Sequence, residues 1–93
     1  MLVAMLAALN VNAQATPNPN AVKFTLNRQV ASQGKTYREA ATADTDWAKQ
    51  LLAIPGIVQL FAVNDFISVS KAPEADWAGL VPQIEAVLRQ TFA

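Results

Sequence analysis

The stretch at residues 57–71, IVQLFAVNDFISVSK, decides the fold because it contains two strands and the turn between them. Its first half is a continuous apolar run, and in its second half Ile67 and Val69 alternate with serines, as in a half-buried strand. Between the halves lie Asn64 and Asp65, which tolerate the left-handed backbone of a two-residue turn. The stretch therefore predicts an antiparallel hairpin.

Two further strands are predicted upstream of this hairpin. Residues 21–27, AVKFTLN, alternate strictly, with the three large apolar side chains on one face. Residues 11–15, VNAQA, show a weaker alternation of the same period. Residues 28–36 are polar and contain a glycine, so we interpret them as a loop, with Tyr37 and Arg38 as a short edge segment.

The first helix is predicted between these strands and the hairpin. Trp47 and Leu51, each followed by another apolar residue, recur at helical spacing. Asp44 is placed as the N-cap, and Asp46 lies near the positive end of the helix dipole. The Ile-Pro-Gly sequence at 54–56 ends the helix, because a residue before proline avoids helical backbone.

The second helix is predicted after the hairpin, where the apolar residues of 77–92 recur with a period near 3.6. Pro73 suits the first helical position, and Glu74 and Asp76 are assigned to the first turn. Because Pro82 lacks an amide hydrogen, we expect a kink or a new helix start there.

The resulting order is strand, strand, helix, strand, strand, helix. It predicts an α+β fold of two layers, a mostly antiparallel four-stranded sheet with both helices on one face. The length of 93 residues suits one domain. We divide the chain into an apolar N-terminal extension at 1–9 and a domain at 10–93.

The composition excludes several functional classes. Hydrophobic residues make up 53% of the chain, and seven basic residues balance seven acidic ones, which argues against a disordered segment and against nucleic-acid binding driven by net charge. These 93 residues contain no Cys and no His, so they offer no thiolate or imidazole for a metal site, a cluster or a nucleophile with its base. We therefore expect no enzyme activity.

The first nine residues are apolar and are followed by Ala13-Gln14-Ala15, which has the outline of an export signal. No basic residue precedes the apolar stretch, and a bilayer span needs about 20 residues. The alternation at 10–15 supports a strand as the competing interpretation. We expect a cytoplasmic protein that does not contact a membrane.

Several short motifs together resemble one known family. They are Thr16-Pro-Asn-Pro-Asn20 with Lys23-Phe24, Ile54-Pro-Gly-Ile57 with Phe61, Asp65-Phe-Ile-Ser-Val69, and Asp76-Trp77 with Leu80, Pro82 and Ile84. In this order and spacing they resemble the N-terminal domain of Nfu-type (NifU-like) iron–sulfur scaffold proteins, over about residues 11–92.

The resemblance implies an α+β domain that serves iron–sulfur cluster assembly, in a family associated with iron binding. In the two-domain members of that family, a separate C-terminal domain with a Cys-x-x-Cys motif holds the cluster. Because this chain has no Cys, it resembles the standalone members. We expect no cofactor bound by this chain, an iron–sulfur cluster only through a partner, and assembly or client proteins as partners.

The candidate partner-binding residues are polar or basic and lie in or after the Pro-Asn loop at 16–20; they are Thr16, Asn18, Asn20, Lys23, Arg28 and Arg38. Residues 1–40 carry a net positive charge and residues 41–93 an equal negative charge. If Lys23 and Arg38 meet beside the loop, they suit an acidic or phosphorylated peptide. The alternative function is therefore a module that binds such a peptide and is unrelated to cluster assembly. The competing interpretations are a tight connector and a solvated basic rim.

Trp77 is expected to anchor the last helix, since it shares a helical phase with other apolar residues. Trp77→Ala should therefore lower the free energy of unfolding by about 3 to 5 kcal/mol. Urea denaturation followed by circular dichroism measures this change. An unchanged unfolding midpoint would place Trp77 at the surface, free for binding.

Overall fold

Five strands and two α-helices form an α+β fold over residues 8–92, the part of the chain that the computed structural model describes. The elements in chain order are β1 (Val11–Ala15), β2 (Ala21–Leu26), β3 (Ala31–Tyr37), α1 (Asp46–Leu52), β4 (Ile57–Asn64), β5 (Phe66–Lys71) and α2 (Trp77–Phe92), with a short 3₁₀ turn at Ala40–Thr42. The α+β class is confirmed.

The strands form one antiparallel sheet in the order β1-β2-β5-β4-β3. The predicted hairpin is confirmed as β4 and β5, in which Leu60 faces Val69 and Val63 faces Phe66. Asn64 has a φ of 54°, the left-handed backbone that the turn requires. The hairpin occupies the interior of the sheet, because β2 pairs with β5 on one side and β3 with β4 on the other.

Both helices cover the same face of the sheet and enclose one hydrophobic core. Phe24, Leu60 and Ile67 from the strands are completely buried against Leu51 of α1 and Ile84 of α2. The opposite face, here called the open face, has no layer over it within residues 8–92. Its strand residues are Asn12, Gln14, Ala21, Lys23, Thr25, Thr36, Gln59, Phe61, Val63, Phe66, Ser68 and Ser70.

The prediction of four strands was wrong, because β3 occupies most of the segment interpreted as a loop. Only Tyr37 of this strand is buried, and the residues between Ala31 and Tyr37 are exposed. An edge strand buries little, so it needs no apolar alternation. The register also shifts between Ala31 and Lys35, which marks a bulge that further obscures the pattern.

The N-cap of α1 is Thr45, so the assignment of Asp44 was wrong by one residue. The Ala48 amide donates to the Thr45 hydroxyl at 3.4 Å, and Thr45 has extended backbone, as a cap requires. The Asp44 carboxylate is instead engaged by Lys35 and Tyr37.

Helix α2 begins at Trp77, later than predicted, so Pro73 and Glu74 precede it. The Ala78 amide donates to the Asp76 carboxylate at 3.1 Å, so Asp76 caps the helix rather than lying in its first turn. The Lys71 ammonium binds the Pro73 carbonyl oxygen, which keeps this segment in a turn.

Helix α2 continues through Pro82 without a new start, contrary to expectation. The missing amide of Pro82 deprives only the Ala78 carbonyl of its helical partner. Ala78 is exposed, so water can solvate that carbonyl oxygen.

The N-terminal residues 1–7 and Ala93 lie outside the described residues, so most of the predicted apolar extension is not described. Leu9, at its end, is buried in the core, and its carbonyl oxygen accepts a bond from Arg89 at 3.2 Å. None of the helices within residues 8–92 has the length and apolar character needed to cross a membrane.

Candidate functional site

The Pro-Asn loop at residues 16–20 is fixed by bonds among its own side chains. The Thr16 hydroxyl lies 2.9 Å from the carbonyl oxygens of both Asn18 and Ala21, and it accepts a bond from the Asn18 amide at 3.2 Å. The Asn20 amide donates to the Asn18 side chain at 2.9 Å. These contacts give three of the candidate residues a structural role in shaping the loop.

Lys71 connects this loop to the start of α2. Lys71 is buried, with 8% of its surface exposed. Its ammonium donates to the Asn20 side chain at 3.0 Å and to the carbonyl oxygens of Ala72 and Pro73 at 3.3 Å. Because each ammonium hydrogen has an acceptor within reach, the buried charge is compensated.

Trp77 adds a second connection to the loop. Its indole Nε1 donates to the Pro19 carbonyl oxygen at 2.9 Å. The half-buried Trp77 ring packs against the edge of the core, and the Lys71 ammonium lies 5.9 Å from the ring centroid. Trp77 thus anchors α2 at the edge of the core rather than inside it, whereas Trp47 is buried within the core.

The three candidate cations do not form one cluster. Lys23 lies on the open face, with its ammonium 4.4 Å from the centroid of the Phe66 ring. Arg38 donates through Nε to the Gln59 side chain at 2.9 Å. Strands β5 and β4 separate β2 from β3, so the backbones of these two strands lie about 14 Å apart across the sheet.

Arg28 lies at the opposite end of β2 from the Pro-Asn loop. Its guanidinium donates through Nη1 to the Asn27 side-chain oxygen at 3.1 Å and to the Asn27 carbonyl at 3.3 Å. The structure therefore brings Thr16, Asn18 and Asn20 together and leaves the cations on separate parts of the sheet.

The open face carries an aromatic pair that the sequence analysis did not identify as a candidate site. The rings of Phe61 and Phe66 lie 6.4 Å apart, and Phe61 is 36% exposed. Phe61 also lies over Gly34, where an added Cβ would approach the ring to 3.2 Å. The sequence contained a signal for this pair, because adjacent strand residues such as Leu60 and Phe61 point to opposite faces.

A polar network on the helix side of β3 was also missed. The Tyr37 hydroxyl donates to the Asp44 carboxylate at 2.8 Å, and the Lys35 ammonium pairs with the same group. These bonds, first from Lys35 and then from Tyr37, lower the pKa of Asp44, whereas burial raises the pKa of Tyr37. The three side chains border a cavity of about 390 Å³ beside β3.

The donor groups present do not suit an iron–sulfur cluster, which proteins hold mainly through thiolates, with imidazole in some sites. The sequence has neither Cys nor His. Across residues 8–92, carboxylates do not gather in groups of three that could bind a metal ion.

Residues 11–93 match the family model described as the scaffold protein Nfu/NifU N terminal. The chain is 33% identical over 96 residues to the mitochondrial NFU1 iron–sulfur cluster scaffold homolog of Drosophila willistoni, covering all of this chain and 33% of that protein. It is 35% identical over 74 residues to conserved virulence factor C of Staphylococcus aureus, covering 78% of this chain and 20% of that protein. The chain thus spans a third or less of the length of these relatives.

Solved structures show the same fold. The crystal structure of protein SAV1430 from Staphylococcus aureus superposes with a TM-score of 0.78 at 31% identity, covering 84% of this chain and 96% of that chain. The solution structure of a NifU-like protein from Saccharomyces cerevisiae has a TM-score of 0.77 at 23% identity, covering 89% and 77% of the two chains.

Replacing Lys71 tests its structural role. Lys71→Met should lower the free energy of unfolding by about 2 to 3 kcal/mol, because the Asn20 side chain and two carbonyl oxygens lose their charged donor. Urea denaturation gives this value. The matched control is Lys49→Met on an exposed turn of α1, expected to change stability by less than about 0.5 kcal/mol. Equal effects of the two substitutions would contradict the role assigned to Lys71.

The Asp44 network predicts a pH dependence of stability. Since the folded state lowers the pKa of Asp44 below the ordinary 3.8, its bonds stabilise the fold above that pH and are lost as the pH falls through the folded pKa. Asp44→Asn should therefore destabilise the protein most near neutral pH, and the difference from wild type should shrink below pH 3.8.

Urea unfolding at a series of pH values measures this difference. Asp46→Asn, which removes the neighbouring exposed carboxylate at the start of α1, is the control for general charge effects. A difference between wild type and Asp44→Asn that stays constant through the acid range would show that the network does not stabilise the fold through the Asp44 charge.

Proposed function

The chain belongs to the Nfu/NifU N-terminal domain family, and on this basis we propose that it is a non-enzymatic accessory domain that acts through protein contacts in iron–sulfur cluster assembly. The family match over residues 11–93 is the observation that carries the proposal. The Drosophila willistoni relative is named as an iron–sulfur cluster scaffold homolog, which supports the same process.

Contact with other proteins is proposed because this chain lacks the usual means of holding a cluster. It contains no Cys and no His, so thiolate and imidazole ligands must come from elsewhere. In this proposal the iron–sulfur cluster is cargo on an assembly or client protein. The domain recognises that protein, or the part of a longer protein that carries the cluster.

A non-enzymatic role fits the chemistry of the strand residues. Ser68 and Ser70 are the hydroxyls nearest the centre of the open face, and a serine nucleophile needs a neighbouring base. The sequence has no histidine to fill that role, and Lys23 is placed over the Phe66 ring. We also propose that the domain works in the cytoplasm, a proposal supported by the bacterial relative from Staphylococcus aureus.

Gene deletion and complementation in the source organism test the proposal. Deletion should lower the activity of iron–sulfur enzymes relative to their protein abundance, and the wild-type chain should restore it. Phe24→Asp, which places a charge in the buried core, is the control that should fail to complement. Enzymes without clusters, assayed in the same extracts, should keep their activity.

Normal iron–sulfur enzyme activity in the deletion strain, under both iron-replete and iron-limited growth, would contradict the proposed role. Anaerobic incubation of the purified chain with iron and sulfide supplies an independent test. The desalted chain should show no visible cluster absorbance, and stable cluster absorbance would contradict the proposal that a partner provides the ligands.

A further inference from the structure

We propose that the open face of the sheet docks an acidic segment of a protein partner, whose apolar side chain rests on Phe61 and Phe66 while flanking carboxylates bind Lys23 and Arg38. This inference rests on the proposed function and specifies its contact surface and the chemistry of the partner.

The aromatic pair supplies the apolar part of the surface. The helices cover the other face of the sheet, so within residues 8–92 Phe61 and Phe66 pack against each other and their strand neighbours. Phe61 remains 36% exposed, and it is supported from below by the Gly34 backbone. A rigid, partly exposed aromatic pair is the type of surface that anchors an apolar side chain of a partner.

The charges on this face select an acidic partner. No Asp or Glu occurs among the strand residues of the open face, whereas Lys23 and Arg38 both reach it. Within residues 8–92, the ion pair joins Lys35 to Asp44 on the helix side of the sheet. Among these residues, neither Lys23 nor Arg38 forms an ion pair with a carboxylate. Carboxylates of a partner would pair with Lys23 and with Arg38.

The acidic residues of this chain lie away from the centre of the open face. Asp46 and Glu85 belong to the helices, Asp44 lies beneath β3, and Asp76 caps α2. The other three lie outside the strands: Glu39 after β3, Asp65 in the turn between β4 and β5, and Glu74 before α2. The helices balance Asp46 and Glu85 with Lys49 and Arg89, whereas the strand residues of the open face include Lys23 and no carboxylate. The cations of the open face therefore attract an acidic partner.

The spacing of the cations sets the size of the segment. Strand β2, which carries Lys23, lies three strand spacings, about 14 Å, from β3, the strand that Arg38 follows. An extended chain spans that distance in about four residues. The aromatic pair lies between them, since Phe61 pairs with Ser68, and Ser68 with Lys23. The preferred segment thus has acidic residues at both ends and apolar residues between them.

Two other surfaces are less suited to this partner. In the Pro-Asn loop, Asn18 and Asn20 already engage other groups of the chain. The outer edge of β3 is interrupted by a bulge and carries Lys35, features that discourage pairing with an added strand.

Nuclear magnetic resonance titration of the ¹⁵N-labelled chain tests the inference directly. The probe is a synthetic peptide with two leucines between pairs of glutamates. It should shift the amide signals of β2, β4 and β5 residues saturably, and its affinity should fall at least about fivefold on raising the salt concentration. Peptides with Gln for Glu, or with Ser for Leu, should each bind at least about fivefold more weakly.

Variants identify the contacts. Phe61→Thr, Lys23→Gln and Arg38→Gln should each weaken binding at least about fivefold, while the control Lys49→Gln on α1 should leave it unchanged. The amide spectrum of each variant shows whether it is folded. The proposal would be overturned if the wild-type chain shows no saturable shifts, or if the shifts are confined to residues 16–20 or β3. It would also be overturned if Lys23→Gln and Lys49→Gln weaken binding equally.

The same variants separate this inference from the proposed function. A folded Lys23→Gln/Phe61→Thr double variant should fail to restore iron–sulfur enzyme activity in the deletion strain. If it restores full activity, the open face is not the docking surface, although the proposed function stands. If the wild-type chain itself has no effect on those enzymes, the proposed function fails, whatever the peptide binds.

Discussion

The ammonium of Lys71 is the interaction on which the arrangement of the fold depends most. It lies at the end of β5, and its acceptors are Asn20, before β2, and the carbonyl oxygens of Ala72 and Pro73, before α2. One buried charge therefore fixes where the second strand begins and where the last helix starts. Without this donor, the half-buried Asn20 and the carbonyl oxygens of Ala72 and Pro73 would lose their charged partner.

Much of the fold was predictable because the sequence pattern was strong wherever burial was strong. The hairpin of β4 and β5 and the alternation of β2 follow from residues such as Phe24, Ile67 and Val69, which are fully buried. Strand β3 was not predictable in this way, since it buries only Tyr37 and contains a bulge. Asp44 was misassigned because a carboxylate before a helix usually caps it, whereas here Lys35 and Tyr37 compete for it.

The candidate site was likewise predictable only in part. The sequence identified Asn18, Asn20 and Lys23 as polar groups near a rigid loop, but it could not show that the asparagines are used inside the fold. Placing Lys23 over Phe66 required the register between β2 and β5, which depends on contacts distant in the sequence. Local patterns predict which face a side chain occupies, and only the tertiary structure shows its neighbours across strands.

The pairing of β2 with β5 has a consequence for how the protein folds. The β1–β2 and β4–β5 pairs join neighbouring segments, so each closes a short loop. The pairing of Val22 with Val69 closes a much longer loop that contains β3, α1 and β4. Closing a longer loop costs more conformational entropy, so we expect the β2–β5 pairing to form more slowly than the two hairpins. We therefore expect the two hairpins to form early and the native topology to be established when β2 pairs with β5.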